Sequence, residues 1–150
     1  MPFSPTRNAE DPEKEWGGKG NAPRELSGPV GIAVDGSGFV YVCDSGNGRL
    51  QIFDRDGVFV TQFRVPGWAG MMYSEPFVAL DPQGNIWVTV PSEKEIRSYD
   101  RSGKLLRTIT RRSVPGVSFD IPMGIAYDTA NHGLVIADLE AGLVRIPEVQ

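Results

Sequence analysis

The side chains that most often carry covalent or metal chemistry are scarce in this chain: one cysteine, Cys43, and one histidine, His132. A serine or cysteine nucleophile needs a base beside it, and His132 would have to be that base. It stands in Thr129-Ala130-Asn131-His132-Gly133, which reads as a turn on a hairpin and not as the wall of a cleft. Cys43 lies in the run Val40-Tyr41-Val42-Cys43, where a thiol behaves as a small core residue. A lone thiol forms neither an intramolecular disulfide nor a cysteine metal cluster. No catalytic residue, metal ligand or cofactor is expected.

Recognition has more material. The stretch from Arg64 to Tyr73, RVPGWAGMMY, is too irregular for a strand and gathers Trp68, Met71, Met72 and Tyr73. Aromatic and methionine side chains on a loop make adaptable contact surfaces. The competing reading has Trp68 plugging a gap between two packed elements. A second stretch, Thr110 to Asp120, sets Arg111 beside Arg112, a guanidinium pair able to clamp a carboxylate or phosphate or else a solvated rim. Trp68, Tyr73, Arg111 and Arg112 are the candidate binding residues.

The elements that must position them are short. The 18 glycines and 12 prolines are spread between β-branched and aromatic runs, and they interrupt every apolar pattern of helical period. The fold class is all-β. The sequence also repeats: Asp35, Asp81 and Asp128 occupy the same point in three units, at steps of 46 and 47 residues. Each unit opens with a strand (GIAVD, VALD, GIAYD) whose aspartate can accept the amide hydrogens of the glycine-bearing turn after it. The second strand is apolar on both faces and should be sandwiched. The third, RLQIF or EIRSY, is half polar and should lie nearer the surface. A fourth follows the tight turn Asp54-Arg55-Asp56-Gly57 or Asp100-Arg101-Ser102-Gly103, and the third unit stops after three strands. Four antiparallel strands per unit of this length are a β-propeller blade.

The string PVGIAVDGSGFVYVCDSGNGRLQIFDRDG, residues 29–57, closely resembles the NHL repeat, and Trp16-Gly17-Gly18-Lys19-Gly20 resembles the link between blades in that family. The resemblance extends over residues 14–147 and implies a propeller. It marks Asp44, Asn47 and Arg49 as a structural tether at a turn. Unit two has Val90, Glu93 and Glu95 there, and unit three has Asp138, Ala141 and Leu143. Related propellers include metal-dependent lyases and hydrolases with a site in the central channel, which is the alternative function; the lyases use several histidines. Other members bind RNA on a basic face, against which stand 19 acidic and 15 basic residues and a net charge of −4.

Propellers close with about four to eight blades, so three blades are expected to be half of a six-bladed ring. The flanks of such an arc would expose apolar side chains, and a second copy would cover them as a closed homodimer. Residues 1–13 are expected to be a disordered or extended tail and 14–150 the half-propeller, with blades near 28–63, 74–109 and 121–150. Residues 14–16 of a partner copy would supply the third blade's outer strand. The expected function is a non-catalytic interaction module binding a protein, peptide or small polar ligand through rim loops. A portion of a longer protein would read the same way. No apolar run approaches the roughly 20 residues of a membrane helix, and the first residues lack a signal-peptide pattern. Neither membrane insertion by this segment nor nucleic acid as a partner is expected, and the location is cytoplasmic by default.

Overall fold

The structure, a computed structural model, describes residues 15–69 and 75–147. The expected tail at 1–13, Lys14 and Tyr73 lie outside the described residues. Strands β1 (Ile32–Val34), β2 (Val40–Asp44), β3 (Arg49–Phe53) and β4 (Phe59–Arg64) form one antiparallel sheet in chain order. A second contains β5 (Val78–Leu80), β6 (Ile86–Val90), β7 (Glu95–Tyr99) and β8 (Leu105–Thr110). The third has β9 (Pro122–Asp128), β10 (Gly133–Asp138) and β11 (Gly142–Ile146). The chain is therefore an all-β partial propeller of three blades, with four, four and three strands among the described residues. No helix there is long and apolar enough to cross a membrane.

Aspartates close the hairpins. Asp35 Oδ1 accepts the N–H groups of Ser37 and Phe39, Asp81 Oδ1 those of Gln83 and Asn85, and Asp128 Oδ1 those of Ala130 and Asn131. Each turn then needs one left-handed residue. Gly38 (φ 88°) and Gly84 (φ 83°) supply it in the first two blades, and His132 (φ 55°) in the third.

β2 and β6 are buried along their whole length, as strands sandwiched between two neighbours must be. β3 corrects the expectation of a strand near the surface, for all five of its residues are buried, Arg49 and Gln51 included. Their polar ends face the chain segment leading into the blade and not solvent.

Two apolar seams hold the blades together. In the first, Tyr41, Cys43, Leu50 and Ile52 of blade one meet Val78, Ile86, Val88 and Val90 of blade two. The second joins Trp87, Ile96 and Ile109 of blade two to Leu134, Ile136 and Val144 of blade three. A polar clasp supplements the first seam: the Arg101 guanidinium, in the β7–β8 turn, lies 4.2 Å from the centre of the Phe39 ring.

Candidate functional site

The densest polar cluster lies where the segment of residues 19–27 docks on blade one. Asp44, at the end of β2, is fully buried and pairs with Arg49 Nε at 2.7 Å. Its other oxygen accepts the Ser27 N–H at 2.7 Å, and Asn47 and Gln51 donate side-chain N–H groups to the carboxylate. The guanidinium of Arg49 continues outward to the carbonyls of Asn21, Ala22 and Glu25, while Asn47 reaches Gly20 O at 2.8 Å. A buried carboxylate is tolerable only with such a complete set of donors. All of these groups are engaged with the chain itself, so the cluster fastens the link.

Blade two fastens its link with other chemistry. Val90 replaces Asp44, and Trp68 packs in the same apolar seam as Val90. The indole is fully buried and its Nε1 donates to Thr89 O at 2.9 Å. Trp68 is therefore corrected as a rim binding residue: it plugs the junction of blades one and two and presents no surface to a ligand. Arg97, two residues beyond the position of Arg49, donates to Pro66 O at 2.6 Å and pairs with Glu95. In blade three, Asp138 accepts the Asp120 N–H, and Phe119 is buried beside it in the chain.

The remaining candidates separate. Arg111 lies 3.3 Å from Asp120, a carboxylate that Lys94 Nζ also reaches at 2.7 Å. Lys94 first, then Arg111, hold the Asp120 carboxyl below its ordinary value. Arg111 thus has an acidic partner within the chain, and both it and Arg112 are exposed. Lys94 and Asp120 escaped the sequence reading because they are distant in the chain and meet only across a blade junction. Cys43 is fully buried, and burial pushes its thiol far above the usual range, which leaves it protonated and inert. Among the described residues, no three of His, Cys, Asp and Glu gather at metal-binding separations.

The open ends of the arc carry the largest exposed apolar surface. Leu143 on β11 is 81% exposed, and Ile32 and Val34 on β1 are 63% and 61% exposed. Their equivalents inside the seams are covered: strand pairing corrects the alignment of Leu143 with Arg49 and Glu95 by one residue, since Leu143 pairs with Ala137 as Leu50 pairs with Cys43 and Ile96 with Thr89, and Val78 corresponds to Ile32. At the blade-one end, Trp16 and Leu26 wall a cleft of about 530 Å³ whose floor is Ile32, Val40 and Val42.

Residues 26–53 match the family model of the NHL repeat. The RING finger protein nhl-1 of Caenorhabditis elegans is 46% identical over 52 residues, which are 35% of this chain and 5% of that protein. The protein brain tumor of Drosophila melanogaster is 28% identical over 125 residues, 81% of this chain and 11% of the relative. The chain thus spans a small part of the curated relatives it matches. Among solved structures, virginiamycin B lyase from Staphylococcus aureus superposes with a TM-score of 0.60 at 19% identity, over 79% of this chain and 38% of the lyase. At that identity the likeness is one of fold.

Proposed function

We propose that the chain, whose residues 26–53 match the NHL repeat and which is similar to NHL-repeat proteins, is a non-catalytic interaction module whose two copies complete a six-bladed propeller. One observation carries the reading: the seam positions that are buried between blades are bare at the ends of the arc. Leu143 is 81% exposed where Leu50 and Ile96 are 0%. Burying apolar surface is worth about 25 cal/mol per Å², so two such flanks on one molecule favour association. Two copies related by a two-fold axis meet at two equivalent seams and form a closed particle. Glu15 and Trp16 of each copy fall beside the outer edge of the other's third blade. The rim loops, the connection bearing Arg112 among them, then face a protein or peptide partner.

The decisive measurement is solution mass by light scattering. A value of twice 16.4 kDa is expected. Replacing Leu143 by aspartate puts a charge into the seam without touching this chain's own core, so the L143D variant is expected to run as a folded monomer. A wild-type monomer of unchanged fold would overturn the reading and leave the flanks to blades from elsewhere.

A further inference from the structure

Trp16 sits against the free face of blade one as Phe63, in β4, sits against blade two. The Trp16 ring lies 6.0 Å from that of Phe53, and Phe63 lies 5.0 Å from Tyr99. Gly57 leaves the space that Trp16 fills, since a Cβ there would meet the indole at 2.9 Å; Gly103 does the same for Phe63, at 2.6 Å. Phe53 and Tyr99 are equivalent positions of successive units, as are Gly57 and Gly103. Trp16 therefore holds at the open end the place that a fourth-strand residue holds inside the arc.

Fourth-strand residues of this kind have fixed partners. Phe63 pairs with Leu50 on β3, and Ile109 with Ile96 on β7. The equivalent residue on β11 is Leu143, and among the described residues β11 has a strand neighbour on one side only. Resting on the two-copy ring proposed above, we infer that ring closure is a reciprocal strand exchange in a single register. Trp16 of each copy lies opposite Leu143 of the other, with Glu15 opposite Val144. The indole then spans the seam, covering Leu143 of one copy while resting on Phe53 of its own, as Phe63 bridges Leu50 and Tyr99. A slip of one residue would turn the indole to the opposite face of the blade and lose both contacts.

Antiparallel neighbours stand at Cα separations of about 4.5–5.5 Å, within the range a disulfide bridges. The full chain carrying Glu15→Cys and Val144→Cys is therefore expected to oxidise to a covalent dimer on a non-reducing gel. Cys43 is fully buried and takes no part. Trp16→Cys with Leu143→Cys is the next pair in the same register, leaves both buried seams untouched, and is expected to link equally if Val144→Cys impairs folding. Glu15→Cys with Arg145→Cys sets the thiols on opposite faces and is expected not to link. A dimer by mass in which neither matched pair links, or in which links form within one copy or as readily in the mismatched pair, overturns the register and leaves the two-copy ring standing. A monomer by mass overturns both.

Discussion

Blades one and two solve the same problem with opposite chemistry. Each must anchor the irregular segment leading into it. Blade one uses a buried ion pair: Asp44 and Arg49, extended by Asn47 and Gln51, grip backbone groups of residues 20–27. Blade two uses an indole, Trp68, pressed into the seam beside Val90 and secured by one hydrogen bond to Thr89 O. The replacement of Asp44 by Val90 is thus coupled to a tryptophan in the adjoining link. A polar clamp has been exchanged for an apolar plug, and the junction stays closed.

Breaking the clamp has the larger expected effect. Asp44→Val gives blade one the residue of blade two without the plug, leaving the Arg49 charge and the Ser27 N–H without their acceptor in a buried site. Removing one partner of a buried pair costs about 3–5 kcal/mol, and the lost backbone bond places Asp44→Val at the upper end. Chemical denaturation at fixed protein concentration measures it. Because the pair is shielded from solvent, the loss should be the same at low and high salt; a loss below that of a surface substitution would show that the clamp is dispensable.

The plug comes next. Trp68→Ala empties a fully enclosed site at the first seam, and such truncations cost about 3–5 kcal/mol. The effect is expected somewhat below that of Asp44→Val, since it strands only one carbonyl, that of Thr89. Were Trp68 a ligand residue on the rim, the same variant would unfold at the wild-type midpoint, which separates the two roles directly.

This contrast also explains what the sequence disclosed. The period set by Asp35, Asp81 and Asp128 gave the three blades and their strand count, because turn chemistry is local and each carboxylate accepts the amide hydrogens of its own turn within four residues. Asp44, Asn47 and Arg49 were legible as a set through the resemblance to the NHL repeat, whose pattern they carry within six residues. The burial of β3 was not: Arg49 and Gln51 look like surface residues until a distant segment closes over them. Trp68 stayed ambiguous because its partner, Thr89 O, is 21 residues away on another blade. The one available signal was Val90, an apolar residue in a polar slot, which requires an apolar counterpart nearby.

The smallest expected effect comes from the exposed counterpart of the buried clamp. Asp128 pairs with Arg145, whose side chain is 55% exposed, at the open end of blade three. The Asn131 side chain foremost, then Arg145, hold the Asp128 carboxyl down at about 2. An unfolded aspartate titrates near 4, roughly its unperturbed value. The folded state therefore favours the ionised form: its contribution is fully present above the unfolded value and is lost as pH falls through the folded one. Solvent and salt reach this pair, unlike Asp44 and Arg49, so its contribution is small and screened. The gap in unfolding midpoint between the wild type and Asp128→Asn should hold at neutral pH, narrow as pH falls from 4 to 2, and shrink in high salt. A gap that persists unchanged at the acid end would mean that Asp128 acts through its neutral hydrogen bonds to the turn, with the ion pair to Arg145 adding nothing.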